Sequence, residues 1–234
     1  MITRTVVVLA GGLGTRLRSE VSEVPKPMAP IAGRPFLEIL LNDLARQGIE
    51  EIVLSTGYLH RVIENHFKNE WKEMRIHYVV ESEPLGTGGA LVKAFGSVNE
   101  SSAYVLNGDT LLKESLSALS NVFVQNDADL AMFVRKINDG GRYSACTLAG
   151  DRVVQFSEGE TGVPACINAG TYLVRTAFIN EIMHAPPFSF ETKVLPSAAI
   201  TKKIFARFSD APFIDIGVPE SFHFAQTFIP ELEI

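Results

Sequence analysis

Two cations and two carboxylates carry the chemistry that this chain is expected to do. Arg16 closes the glycine-rich run Gly11-Gly12-Leu13-Gly14-Thr15-Arg16, and Lys26 is held between prolines in Pro25-Lys26-Pro27. Asp109 ends the run Val105-Leu106-Asn107-Gly108-Asp109, and Asp215 stands between apolar neighbours in Phe213-Ile214-Asp215-Ile216-Gly217. A β-branched run from Thr5 to Val8 leads straight into the glycines. A buried strand that opens into a glycine turn brings backbone N–H groups up to a phosphate, and glycine lets a ligand approach the backbone closely. The same run also reads as a tight surface turn. The arginine at its tip and the lysine after it favour phosphate, because both cations would otherwise stand idle on a rigid loop. Asp109 and Asp215 offer the hard oxygens that Mg²⁺ takes, one or two carboxylates with substrate phosphates in other positions. Each has a plainer reading too. Asn107-Gly108-Asp109 is good turn chemistry, and Asp215 can cap a helix that starts at Pro219. An acid inside a buried strand is costly unless it is paired or bound to metal.

Neither common phosphate motif fits. The P-loop needs Lys-Ser or Lys-Thr after its last glycine, whereas Gly14 is followed by Thr15-Arg16. The dinucleotide fingerprint, counted from Gly12 and Gly14, needs a third glycine at position 17, which is Leu17.

The ordered string Gly11-Gly12-Leu13-Gly14-Thr15-Arg16-Leu17, then Pro25-Lys26-Pro27, then Arg34-Pro35 resembles the signature of the sugar-1-phosphate nucleotidyltransferases, or nucleoside-diphosphate-sugar pyrophosphorylases. Within that family, Pro25-Lys26-Pro27-Met28-Ala29-Pro30 followed by Arg34-Pro35-Phe36-Leu37-Glu38 is similar to the guanylyltransferases that act on D-glycero-α-D-manno-heptose 1-phosphate. The resemblance implies an α/β fold, a Rossmann-like, mostly parallel mixed sheet flanked by helices, with a β-rich sugar-binding portion. It implies an enzyme that transfers a nucleotidyl group to a sugar 1-phosphate and releases pyrophosphate. Mg²⁺ is its expected cofactor. A nucleoside triphosphate, GTP favoured, and a sugar 1-phosphate are its expected partners. A mannose-1-phosphate guanylyltransferase or another nucleotide-hexose pyrophosphorylase is the alternative.

The resemblance also assigns residues. It implies Arg16, Lys26 and Asp109 as catalytic groups, and Asp109 with Asp215 as the metal pair. For the nucleotide it implies Leu9, Ala10, Gly11, Gly12, Gly14 and Thr15, together with the stretch Glu83-Pro84-Leu85-Gly86-Thr87-Gly88-Gly89-Ala90. Pro84, Gly86, Thr87 and Gly88 are the candidates there, with Glu81 ahead of them toward a base edge. By itself that stretch equally reads as a tightly packed helix start. For the sugar the candidates are Gly108, Glu158, Asn168, Gly170 and Glu191, since carboxylates and amides suit vicinal hydroxyls. Glu158 alone equally reads as an exposed loop charge. Ile167-Asn168-Ala169-Gly170 matches the family's Asn-Ala-Gly strand. The family has Phe-x-Glu-Lys-Pro where this chain has Phe156-Ser157-Glu158-Gly159-Glu160. The lysine that helps to hold the sugar phosphate in relatives is therefore missing, and Lys193 is the candidate to stand in.

These residues need a scaffold. The hydrophobic pattern predicts helices at 36–48, 59–67, 87–95 and 114–125, alternating with strands at 51–55, 76–80, 103–106 and 130–135. Such alternation marks a mostly parallel sheet covered on both faces. Ligands bind outside the carboxyl ends of its strands, where the motifs fall. Further on, strands are expected at 143–148, 152–156, 167–175, 205–208 and 213–216, and helices at 176–183, 191–200 and 219–228. Ala149-Gly150-Asp151 reads as a hairpin turn. One domain over 1–234 is expected, its nucleotide-binding half reaching to about residue 135 and its sugar-binding half following. The C-terminal β-helix that the family often adds is not expected.

The 234 residues are 46% hydrophobic, enough for a sizeable core. A net charge of −6 excludes a basic field for nucleic acid. With no apolar run of spanning length and no secretory leader, a cytoplasmic location is expected. Cys146, Cys166 and the five histidines show no metal-ligand spacing, and the thiols read as buried and apolar. Two other functions are weighed. A nucleotide-sugar-sensing subunit without activity would not need all four charged groups. A glycosyltransferase would use an Asp-x-Asp motif, but Asp127-Ala128-Asp129 reads as a solvated turn. Phe222, Phe224 and Phe228 make the last helix either core or a homodimer interface.

Overall fold

The computed structural model, which describes residues 2–232, is built around the strand that feeds the glycine run. In β1 (Thr5–Leu9), Val6, Val7 and Val8 are wholly buried. Pleating sends successive side chains to opposite faces. Val6 and Val8 accordingly join the apolar layer on one side of the sheet and Val7 the layer on the other. The chain continues through short 3-10 turns at Thr15–Leu17 and Lys26–Met28 and a small hairpin, β2 (Pro30–Ile31) with β3 (Arg34–Pro35). Next come α1 (Phe36–Arg46), β4 (Glu51–Thr56), α2 (His60–Phe67), β5 (Glu70–Trp71), β6 (Met74–Val80), α3 (Gly86–Phe95) and β7 (Ser102–Asn107). The rest is β8 (Thr110–Leu112), α4 (Ser117–Gln125), β9 (Leu130–Ile137), β10 (Ser144–Ala149), β11 (Arg152–Glu158), β12 (Ala165–Arg175), α5 (Thr176–Asn180), α6 (Leu195–Thr201), β13 (Ile204–Phe208), β14 (Phe213–Asp215) and α7 (Pro219–Glu231).

Ten strands form one sheet in the order β10-β11-β13-β9-β12-β7-β1-β4-β6-β5. The strands β7, β1, β4 and β6 are mutually parallel, so Leu9, Ser55 and Asn107 end side by side at one edge. Beyond β7 the sheet turns antiparallel, through β12 against both β7 and β9. The first half thus supplies a run of four parallel strands, and the rest of the sheet is a mixed extension in which β13 pairs parallel with β9. One face is covered by Leu37, Leu41 and Leu44 of α1, Leu119 and Phe123 of α4, and Phe222, Ala225 and Ile229 of α7. The other is covered by Leu91, Ala94 and Phe95 of α3, Phe178 and Ile179 of α5, and Leu195, Ala198 and Ala199 of α6.

Three departures from the sequence expectations bear on the site. The helix expected at 191–200 splits into a wide π-type turn over Phe190–Val194 and α6. Pro196 lies in the first turn of α6 and has no N–H to give to the turn before it, so the chain opens there. In β12 the register against β9 jumps between Asn168 and Tyr172, a bulge in which Gly170 takes φ +69°. Finally, β8 and β14 form a separate two-stranded ladder that pairs Asp215 with Thr110.

Asp127-Ala128-Asp129 is a turn, as expected. Asp127 ion-pairs with Arg175 at 2.9 Å and Lys203 at 2.8 Å, and Asp129 accepts the Lys203 N–H at 2.9 Å. Cys146 and Cys166, far apart in sequence, face each other across β10 and β12 with sulfurs 3.9 Å apart. Phe222 is core, whereas Phe224 is half exposed and stacked on Phe228. Among the described residues no helix is long and apolar enough to cross a membrane. Residues 1 and 233–234 of the expected domain lie outside the described residues.

Candidate active site

Gly14 takes φ +59°, and a Cβ there would lie 2.9 Å from Cβ of Lys26. The position therefore needs glycine both for its left-handed backbone and for the lysine stem packed against it. Leu17, buried at the far end of the loop, anchors the 3-10 turn that carries Arg16. Arg16 is exposed, and among the described residues it has no ion-pair partner, so its planar fork is available to a ligand.

Lys26 and the two aspartates converge from three distant segments. The Lys26 ammonium donates to Asp109 Oδ2, with the lysine side chain 11% exposed and the aspartate 31%. Asp109 Oδ1 also accepts from Thr110 Oγ1 at 3.1 Å. The β8–β14 ladder carries Asp215 alongside, and the Ile216 N–H donates to the Asp109 carbonyl at 3.0 Å. Burial, and then the neighbouring Asp109 charge, push the Asp215 carboxyl above the usual carboxylate range; Arg142, Lys26 and the Gly217 N–H pull the other way. Arg142 Nη1 lies 3.8 Å from Asp215 Oδ2. Two carboxylates that repel each other in a half-buried pocket suit a divalent cation, which would relieve that repulsion while phosphate oxygens completed its coordination. Among the described residues no cluster of three or more acidic, histidine or cysteine side chains forms a self-sufficient metal cage.

Two cavities meet at this point. The smaller, about 420 Å³, is walled by residues Leu9 to Thr15, by Lys26 and by Glu81, Pro84 and Gly86. The larger, about 710 Å³, is walled by Arg16, Arg142, Tyr143, Glu158, Asn168, Gly170, Glu191 and Asp215. Thr87, Asn107 and Asp109 belong to both. Three residues singled out from sequence stand in neither wall. Gly88 donates its N–H to the Phe188 carbonyl at 2.9 Å, Gly108 donates to the Leu9 carbonyl at 2.9 Å, and Lys193 is exposed on the π-type turn.

Several wall residues also hold the frame. Asn168 Oδ1 accepts the Gly170 N–H at 3.0 Å and its Nδ2 donates to Tyr172 Oη at 2.5 Å, which fixes the bulge. Glu81 accepts from Ser55 Oγ at 3.1 Å and from the Leu85 N–H at 3.2 Å, tying β4 to the start of α3. Glu191 Oε2 accepts from Thr87 Oγ1 at 2.5 Å and from Ser189 Oγ at 2.9 Å, a link between the walls of the two cavities. Sequence reasoning missed Arg142, Tyr143 and Asn107. A cation directly after Gly140-Gly141 is the signal that could have found the first, by the logic applied to Arg16. Asn107 Oδ1 is buried without a hydrogen-bond partner at the junction of the cavities. The hydroxyls at the junction are those of Thr87, which donates to Glu191, and Thr110, which donates to Asp109. Cations and carboxylates between two pockets suit transfer between two bound anionic substrates.

Known proteins are similar to this chain in sequence and fold. The chain is 40% identical over 220 residues to the D-glycero-alpha-D-manno-heptose 1-phosphate guanylyltransferase of Aneurinibacillus thermoaerophilus, covering 94% of this chain and 96% of that one. A protein of the same name from Campylobacter jejuni subsp. jejuni serotype O:2 is also 40% identical, over 93% and 96% of the two chains. The crystal structure of HddC from Yersinia pseudotuberculosis, complexed with GMP-PN, superposes with a TM-score of 0.83 at 36% identity, over 95% of this chain and 97% of that one. The family model described as nucleotidyl transferase matches residues 5–231, and with nearly the whole chain matched, the protein is a member of the nucleotidyl transferase family.

Proposed function

We propose that the protein is a sugar-1-phosphate guanylyltransferase that joins GTP to D-glycero-α-D-manno-heptose 1-phosphate. The observation that carries this is the meeting of two cavities at Lys26, Asp109 and Asp215, in a chain matched end to end by relatives named for that reaction. An oxygen of the sugar phosphate attacks the α-phosphorus in line, the bond to the β-phosphate oxygen breaks, and pyrophosphate leaves with the electron pair. The attacking oxygen is already anionic at neutral pH, so the protein needs neither nucleophile nor general base. Its contribution is alignment and charge neutralisation. Backbone N–H groups of the glycine loop and the Arg16 guanidinium hold the β- and γ-phosphates. Lys26 braces the α-phosphate and the attacking group. Asp109 and Asp215 would hold Mg²⁺, which when bound supplies Lewis-acid neutralisation across both reactants. Thr87 and Glu81 face the nucleoside, and Glu158 and Glu191 face sugar hydroxyls. The reading includes a cytoplasmic location, a single functional unit across the chain, and a homodimer that meets through Phe224 and Phe228.

The test is pyrophosphate release with Mg²⁺, crossing GTP, CTP, UTP, dTTP and ATP against heptose, mannose and glucose 1-phosphates. Release confined to GTP with the manno-heptose phosphate is expected. Release with mannose 1-phosphate instead keeps the chemistry and changes the sugar. Silence across the grid with nucleotide sugar still bound turns the protein into a sensor.

A further inference from the structure

We infer that Arg142 is the residue that grips the phosphate of the sugar substrate; the inference rests on the reading of the larger cavity as the sugar site. That cavity has four acidic side chains in its wall, Asp109, Glu158, Glu191 and Asp215, and two cations, Arg16 and Arg142. An anionic sugar phosphate cannot settle among four carboxylates without a positive group to meet it. Arg16 arrives on the loop that also walls the smaller cavity, through Thr15, whereas Arg142 belongs to the larger cavity alone. Its guanidinium stands beside the metal-ligand candidate Asp215, where the attacking phosphate must come.

The guanidinium is oriented but not consumed. Its central carbon lies 4.8 Å from the Tyr143 ring centroid, and Nη2 is 2.6 Å from Tyr143 Oη. Its contacts with Asp215 are long, 3.8 Å to the carboxylate and 3.5 Å to the carbonyl, which leaves donors for a phosphate fork. The loop that presents it is braced throughout. Asp139 Oδ1 accepts from the Gly141 and Gly162 N–H groups at 3.0 Å each, and the Tyr143 N–H donates to the Gly140 carbonyl at 2.9 Å.

The neighbouring strand end explains why the cation comes from this loop. The Gly159 N–H donates to the Tyr143 carbonyl at 2.9 Å, and a Cβ at residue 159 would lie 1.9 Å from the Gly140 oxygen. With the Gly140 backbone occupying that space, residue 159 cannot carry a side chain of any kind. The wall beside Glu158 is therefore served by Arg142, while Lys193 points its residue position outside both cavities.

The experiment compares wild type, Arg142→Ala and Arg142→Lys by steady-state kinetics with each substrate varied in turn. Arg142→Ala should raise KM for the sugar 1-phosphate at least ~10-fold, with the nucleotide KM and the Mg²⁺ concentration for half-maximal rate within about two-fold of wild type. Guanidinium ion added at a non-denaturing concentration should restore part of the loss, and Arg142→Lys should fall between. A sugar KM within about two-fold of wild type overturns the assignment. So does a rise shared equally by the nucleotide KM and the Mg²⁺ requirement, which would mark a role exerted only through Asp215. If the wild type is inert across the substrate grid, the proposed function fails separately, and calorimetric titration with mannose 1-phosphate decides. Weaker binding to Arg142→Ala supports the anion grip, and equal binding, or none to either protein, overturns it.

Discussion

The two cavities are made of different material. The smaller draws nearly half of its wall from one contiguous run, Leu9 to Thr15, three of whose seven residues are glycine, at the end of a parallel strand. The larger gathers residues from segments as far apart as Arg16 and Asp215, most of them from the second half of the chain. A main-chain wall meets phosphate with donors that every residue supplies, so only the absence of side chains has to be specified. A side-chain wall must specify each group, and each can be exchanged separately. Under the proposed function, the first half of the site is constrained in composition and the second is where the sugar is chosen.

Substitutions can break or sharpen that contrast. Asp109→Ala acts at the junction and should abolish the distinction, lowering kcat/KM by ~10³-fold for both substrates. Unchanged circular dichroism and melting temperature would separate this from unfolding, and retained turnover would remove the proposed metal role. Arg16→Lys keeps the charge but loses the fork, and should lower kcat/KM by about 10²-fold in pyrophosphate-release kinetics. Gly14→Ala probes the main-chain wall alone. Its left-handed backbone and the Lys26 stem should make the change cost about ten-fold in kcat/KM, read mainly in the nucleotide. Asp139→Ala probes the other wall through the Arg142 loop, and should raise the sugar KM about three-fold without moving the nucleotide KM. The Gly141 and Gly162 N–H groups hold the Asp139 carboxyl below the usual range. A depressed acid stabilises above its unfolded value and loses that support as pH falls through the lower folded one. The loop should therefore keep its bracing across neutral pH, and the wild-type sugar KM should show no change from this group there.

The same contrast governs what could be read in advance. Elements with a strong period were legible: α1 by its leucine stripe, β1 by its β-branched run, and the hairpin at Ala149-Gly150-Asp151 by its turn chemistry. The glycine loop was legible because its residues are adjacent in sequence. Arg142 was not, because its value depends on Gly159 and Asp215, which only tertiary structure brings near. Gly88 and Gly108 share motifs with wall residues, yet they serve backbone packing against Phe188 and Leu9. Motif membership marks a segment, not the direction each residue faces. Of the β8–β14 ladder, the strand at 213–216 was expected, whereas β8 escaped notice because it is three residues long and directly follows the turn residues Asn107-Gly108-Asp109.

That ladder also sets an order of events on the ribosome. Chains emerge from the N-terminus, so the segments that meet at the site leave the ribosome at different times. The glycine loop and the parallel strands β1, β4, β6 and β7 lie in the first 107 residues, while Asp215 comes another 108 later. A nascent chain therefore carries the glycine loop long before it owns the second carboxylate. Under the proposed function, competence arrives only when β14 docks beside β8, which makes the last strand the step that completes the site.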